Sequence, residues 1–166
     1  DMDVTNVSPR MLWKTELAGM ENRLTVGADW SDWTYTNRSN GTDTLFGNSA
    51  TRTVGNQDNR AVYFRNELAV TSGTRLSLGG RRENVEQDQE EYLTPLPKAS
   101  IEHHLSAYEL ALQQDLGAGY SAYGRLGRSF RVATIDENRC QFPPCGPLLK
   151  PQRSHDRELG VQWSGK

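Results

Sequence analysis

The sequence predicts an all-β chain, an antiparallel up-and-down meander of about seven long strands that forms part of a transmembrane β-barrel. Three features predict it. The phrase Glu-Leu followed by a small residue recurs at Glu16-Leu17-Ala18, Glu67-Leu68-Ala69, Glu109-Leu110-Ala111 and Glu158-Leu159-Gly160, at intervals of 51, 42 and 49 residues. After each of the first three copies comes a short polar or glycine-bearing break and a second alternating segment, so each unit reads as a long hairpin. The segments match the 9 to 11 residues or so of a tilted membrane strand rather than the 5 to 6 usual in soluble domains. Connections also alternate, short after odd strands and roughly 18 to 24 residues after even ones, the order expected where short turns face the periplasm and long loops face outward.

The strands follow from period-two alternation between breaks. The first, about Arg10 to Ala18, sets Met11, Trp13 and Leu17 against Lys14 and Glu16, with a turn at Gly19 to Asn22. The second, about Arg23 to Tyr35, sets Leu24, Val26, Ala28 and Trp30 against Thr25, Gly27, Asp29 and Ser31, the cleanest alternation in the chain. A polar loop is expected from about Thr36 to Asn59. The third strand alternates Val62, Phe64, Leu68 and Val70 with Tyr63, Arg65 and Glu67, and turns at Thr71 to Thr74. The fourth carries Leu76 and Leu78 against Arg75, Ser77, Arg81 and Glu83 before an acidic loop expected from about Gln87 to His104. In the fifth, Tyr108, Leu110 and Leu112 face away from Glu109 and Gln113, and Gly117 and Gly119 mark the next turn. The sixth, about Tyr120 to Arg131, sets Tyr120, Ala122, Gly124 and Leu126 opposite Ser121, Tyr123, Arg125 and Ser129. After a last loop, about Val132 to Ser154, the seventh places Leu159, Val161 and Trp163 opposite Glu158, Gly160 and Gln162.

Composition agrees with a wet interior. Leu, Ile, Val and Phe number 32 of 166 residues, too few for a generous dry core, yet 19 basic residues nearly cancel 21 acidic ones, which argues against disorder and against nucleic-acid binding. A charged group lies near the middle of every inward face: Glu16, Asp29, Glu67, Glu83, Glu109, Arg125 and Glu158. Buried without partners these would be prohibitive, and a hydrated lumen or a polar plug surface removes the penalty. No stretch approaches the 18 to 20 or so apolar residues of a membrane helix. The chain opens on Asp1 without a basic-then-apolar leader and closes on Lys166 just past a strand, so it is expected to be a piece of a larger barrel.

Several stretches resemble the barrel of TonB-dependent outer-membrane receptors. Ala61-Val62-Tyr63-Phe64-Arg65-Asn66-Glu67-Leu68 and Arg75-Leu76-Ser77-Leu78-Gly79-Gly80-Arg81-Arg82-Glu83 are similar to adjacent strands of that barrel. Tyr120 to Arg131 resembles the family strand that ends in a Phe-Arg pair, here Phe130-Arg131, with Ile135-Asp136-Glu137 where a hydrophobic-acidic motif follows. Leu149-Lys150-Pro151-Gln152-Arg153-Ser154 and Arg157-Glu158-Leu159-Gly160-Val161 resemble the signature that opens the next strand. The proline that often follows the Phe-Arg pair is replaced by Val132-Ala133-Thr134. The resemblance implies a barrel of about 22 strands around an N-terminal plug, in the bacterial outer membrane, taking up scarce cargo such as a ferric siderophore with energy from the TonB complex. On this reading residues 1–166 are a partial barrel with no plug domain, in contact with outer-membrane lipid, non-enzymatic and without a cofactor. The contrasting reading is a soluble extracellular β-domain, propeller or sandwich, that binds carbohydrate.

Candidate site residues are fewer. His103 and His104 sit at the outer end of a strand where they can touch a ligand, although adjacent residues point to opposite faces and cannot chelate together. Arg125 and Arg131 share the inward parity and suit an anionic cargo, or balance the glutamates. Trp33 and Tyr35 read most simply as a membrane-boundary girdle. Residues 132–148 lack the histidine that haem receptors of the family carry there, which disfavours haem. Cys140 and Cys145 flank Gln-Phe-Pro-Pro and are expected to form a loop disulfide that closes a small ring, with no metal site. Ser154-His155-Asp156 lists the residue types of a hydrolase triad, but consecutive residues on an extended segment project alternately and cannot form the relay.

Overall fold

A computed structural model describes residues 1–40, 50–92, 98–134, 137–138 and 147–165. They form one antiparallel sheet of eight strands: β1 (Met2–Val7), β2 (Arg10–Leu17), β3 (Met20–Asn40), β4 (Ala50–Ala69), β5 (Thr74–Glu91), β6 (Ala99–Gly117), β7 (Tyr120–Arg131) and β8 (Gln152–Trp163). From β3 onward every strand pairs with its neighbour in sequence, and β1 and β2 both pair with β3.

The eighth strand is a division of the expected first one. Extended structure begins at Met2 rather than Arg10 and is interrupted at Ser8-Pro9, yet Val7↔Trp30 and Arg10↔Gly27 lie in a single register along β3. Pro9 accepts a hydrogen bond from the Ala28 N–H at 3.1 Å. Having no N–H, it cannot return one, and the ladder breaks there.

The hairpin turns are tight. Ala18 and Gly19 both have positive φ, 53° and 78°, the geometry that lets a two-residue loop join right-twisted strands. Ala118 and Gly119 repeat it at 52° and 82°, and Gly117 at 80° sits in a bulge of β6 against β7. At the middle turn the Thr71 and Thr74 backbones exchange hydrogen bonds of 3.3 Å, and Thr71 Oγ1 donates to Thr74 Oγ1 at 2.8 Å.

The long loops expected at 36–59 and 87–104 are instead largely strand. β3 and β4 run 21 and 20 residues and β5 and β6 run 18 and 19. At about 3.3 Å per residue these strands reach about 60 to 70 Å, twice the thickness of a bilayer's hydrocarbon core. β8 likewise starts at Gln152, inside the expected last loop.

The sheet is curved, and its two faces differ as the alternation requires. Val62, Phe64, Leu78, Leu110, Leu112, Leu126 and Leu159 stand on the convex face in the open, Leu159 with 90% of its surface accessible. Ala61, Glu83, Val85, Gln87 and Leu105 line the concave face and are buried, Val85 completely. Across the convex face aromatic rings cover glycines on the neighbouring strand, as Phe64 does Gly80; on the concave face Tyr63 covers Gly27 and Tyr123 covers Gly160. A side chain at any of these glycines would collide with the ring.

Candidate functional site

The concave wall has two zones. The lower one is a lattice of ion pairs. Pairing aligns Asp29, Ala61 and Glu83 on one rung and Gly27, Tyr63 and Arg81 on the next. Arg81 therefore reaches two carboxylates, donating from Nε to Glu83 Oε2 at 2.7 Å and from Nη1 to Asp29 in a short contact, while its guanidinium lies 5.9 Å from the centre of the Tyr63 ring. Glu83 is 7% exposed, so its charge depends on that partner. Further along, Arg125 Nε donates to Glu109 Oε2 at 2.7 Å, with Glu158 3.8 Å from Nη1, and Tyr123 donates to Glu158 Oε1 at 2.9 Å. Between these clusters, where Gly79, Ala107 and Gly127 carry little or no side chain, a groove of about 410 Å³ opens, edged by Tyr63, Arg81, Glu109 and Arg125.

The upper zone is built from amides. Asn59 Nδ2 donates to Glu83 Oε1 at 3.2 Å, Gln57 Nε2 to Asn59 Oδ1 at 2.7 Å, and Gln87 Nε2 to Gln57 Oε1 at 2.7 Å and to the Ala133 carbonyl at 2.8 Å. A carboxylate and a backbone carbonyl, both only acceptors, close the two ends, so the orientation of every amide between them is forced. Ala133, whose carbonyl meets Gln87, is buried, and so is Leu148.

Of the candidates from sequence, His103 lies on the concave face, opposite Val85, and hydrogen-bonds the Leu149 backbone. Burial lowers its pKa below the ordinary value, the Leu149 bond opposes that, and the charge of Arg153 adds to the lowering. His104 is on the convex face, 2.8 Å from Asn84 Oδ1 and 3.6 Å from Glu102. The two histidines therefore belong to different surfaces. Arg125 holds Glu109 and Glu158, and Arg131 holds Glu137 through two bonds of 2.9 and 2.6 Å, which with the Thr134 N–H brings the Glu137 carboxyl down to about 2. Both arginines are on the concave side and both are engaged by carboxylates. Trp33 and Tyr35 are not a girdle: their register with Gln57 and Gly55 puts them on the concave face, and Trp30 takes the outward position. Ser154 and Asp156 share a face, 3.1 Å apart, with His155 on the other. The expected Cys140 to Cys145 disulfide lies outside the described residues.

Gln57, Asn59, Gln87 and Gln89 escape sequence reasoning because they fall in segments without apolar alternation. Their only signal is an amide at every second position.

An exposed apolar surface on one side of a single curved sheet, with charges on the other, is the build of a membrane barrel wall. The family model described as "TonB dependent receptor-like, beta-barrel" matches residues 3–166. The chain belongs to the TonB-dependent receptor β-barrel family. No curated protein matches the sequence at a significant level. Among solved structures this receptor barrel is similar to the ferric citrate transporter FecA in the unliganded form, at 16% identity and a TM-score of 0.80, over 98% of this chain and 25% of that one. It is also similar to the ferric-catecholate import receptor Fiu from E. coli K12, at 13% identity and 0.75, over 98% and 29%. The copper transporter OprC matches at 15% identity and 0.72, over 99% and 28%. At such identities the likeness is one of fold. The chain spans about a quarter of the length of these receptors.

Proposed function

We propose that this chain is a section of the barrel of an outer-membrane TonB-dependent receptor that takes up a ferric siderophore or a similar scarce cargo, without catalysing a reaction. One observation carries the reading: the sheet is apolar and open toward the outside and charged or amide-lined toward the inside, over strands long enough to cross a bilayer and continue beyond it. In this reading residues 1–166 are barrel wall, the plug and the contact with the TonB complex belong to other residues of the receptor, and the concave wall touches plug and cargo. The names of FecA and Fiu, which specify ferric citrate and ferric catecholate, support an iron chelate as cargo.

The test uses the whole receptor in its cell. Deleting it is expected to abolish accumulation of radiolabelled iron from one class of chelate, and so is removing the TonB complex. Accumulation unchanged by deletion, across the chelates tried, would sink the uptake reading. Solubility of this chain without detergent as a folded monomer would sink the membrane reading.

A further inference from the structure

The apolar part of the convex face ends upward in arginine. On four strands the convex position just above the last apolar one is an arginine: Arg157 above Leu159 on β8, Arg128 above Leu126 on β7, Arg82 above Gly80 on β5, where Phe64 covers the glycine, and Arg60 above Val62 on β4. The rung of Arg157 runs through Leu126, Leu110 and Leu78 to Asn66 on β4, below Arg60. From Arg157 to Arg60 the line of arginines therefore crosses four strand spacings, about 19 Å, while rising about 20 Å along the strands, a slope of about 45°. Strands of a membrane barrel tilt by about 35 to 45°, so the four positions lie at one height, along the outward edge of the hydrocarbon.

Three of these arginines are unpaired. Arg82, Arg128 and Arg157 make no ion pair or side-chain hydrogen bond with any described residue, and Arg60 alone is engaged, by Asp58 at 2.7 Å. On the concave face, by contrast, Arg81, Arg125 and Arg131 are all held by carboxylates. Beneath two of the unpaired arginines the convex surface is hollowed. A groove of about 370 Å³ runs over Val62, Phe64 and Gly80 with Arg82 at its upper end, and one of about 490 Å³ runs over Leu110, Leu112, Leu126 and Leu159 with Arg157 at its upper end. An apolar trough below an uncompensated guanidinium suits an acyl chain with a phosphate at its head. Above the belt, Asp32, Asp58, Glu86 and Glu102 share one rung of the same face. These carboxylates repel a second tier of phosphate and accept hydrogen bonds from hydroxyl groups, so the headgroup they suit is phosphorylated at the level of the arginines and carries sugar above.

We propose that this belt is a binding site for a phosphorylated glycolipid of the outer leaflet, with its phosphates on Arg82, Arg128 and Arg157, its acyl chains in the two grooves and its sugar hydroxyls toward the carboxylate rung. Arg82 and Arg128 stand two strands and one rung apart, about 12 Å between Cα atoms, so a disaccharide headgroup with a phosphate at each end reaches both. Arginine suits the task because its planar fork grips a phosphate through two hydrogen bonds. A phospholipid brings a single phosphate and no sugar, and satisfies one arginine at a time. The inference rests on the membrane reading above and is independent of the cargo.

The test is native mass spectrometry of the full-length receptor in detergent micelles, titrated with three probes: an acylated diglucosamine bisphosphate, the same lipid with one phosphate removed, and phosphatidylglycerol. The bisphosphate is expected to bind about tenfold more tightly than phosphatidylglycerol and about fivefold more tightly than the monophosphate. Arg82→Gln and Arg128→Gln are each expected to weaken the bisphosphate about fivefold, the worth of one cation at a lipid phosphate. Arg52→Gln, on the same face but several rungs above the belt, is expected to leave it unchanged. Heat-modifiable migration establishes that each variant is folded, and Arg82, exposed and unpaired, can be replaced without loss of an internal contact. Equal binding of phosphatidylglycerol overturns the inference. Insensitivity of the bisphosphate to Arg82→Gln, or an equal loss from Arg52→Gln, also overturns it. In each of those cases a receptor that folds only in detergent keeps the membrane reading, whereas a full-length receptor folded and monomeric in water removes both.

Discussion

Arg81 is the residue on which the lower wall turns, because it compensates two carboxylates at once and one of them, Glu83, is buried. Arg81→Gln is expected to destabilise the folded receptor by about 1 to 3 kcal/mol, the cost of leaving such a charge without its partner, seen as a lower urea midpoint in micelles. Combining it with Asp29→Asn and Glu83→Gln should recover much of the loss, since the neutral amides need no counter-charge. Ala18 and Ala118 carry the opposite lesson: each holds a positive φ that glycine or asparagine tolerates better. Ala118→Asn is expected to raise stability by about 0.5 to 1 kcal/mol in the same assay. For the Arg131–Glu137 pair, the folded carboxyl at about 2 lies below its ordinary value, so the stabilisation is full above the ordinary carboxylate range and drains away as pH falls toward 2. His103 has the same sign for a different reason: burial lowers its pKa, so protonation as pH falls below the ordinary histidine value works against the buried position of the ring, while the bond to Leu149 itself favours the charged form. Protection of the Leu149 amide, taken as its exchange relative to the intrinsic rate at each pH, is expected to fall between about pH 7 and 5, and that of the Thr134 amide, which Glu137 accepts, between about pH 5 and 2.5; flat protection over both ranges would refute the docking.

At the scale of elements, the broken first strand shows what one missing donor does. Pro9→Val supplies an N–H opposite the Ala28 carbonyl and is expected to join β1 and β2 into one protected ladder, with slower amide exchange from Val7 to Met11. The glycine and aromatic pairs set a second constraint. Gly27→Val would drive the Tyr63 ring off its seat and, with it, the surface that Arg81 lies against. The alternation in sequence located seven membrane-level segments and assigned their faces, and Lys14, Asp29, Arg65, Glu109 and Glu158 all stand where period two puts them. It placed the strand ends too early. Above the lipid neither face meets hydrocarbon, so segments such as residues 52–60 and 83–91 are polar on both sides, and nothing in their hydropathy separates a strand from a loop.

At the scale of the whole molecule, the sheet is open. β8 pairs on one side only, with Leu159, Val161 and Trp163 bare, and the β1 and β2 edge is likewise unpaired on its far side. The isolated chain is therefore expected to associate through these edges even in detergent, whereas the complete receptor is not. Light scattering showing a clean monomer of the isolated chain would contradict this.

The sequence by itself determined the class of fold, the direction of pairing and which face of each strand meets lipid, because a bilayer imposes a period-two pattern that any reader of hydropathy can recover. It also carried the family, through the ordered pieces from Ala61 to Val161. Only the tertiary structure decided how far the strands rise beyond the membrane, that Trp33 and Tyr35 face inward, that Arg125 and Arg131 are held by carboxylates, and that Asn59, Gln57 and Gln87 form a relay from the Glu83 carboxylate to the Ala133 carbonyl. Those facts depend on register between strands distant in sequence, and hydrogen-bond partners set by register leave no trace in the local order of residues.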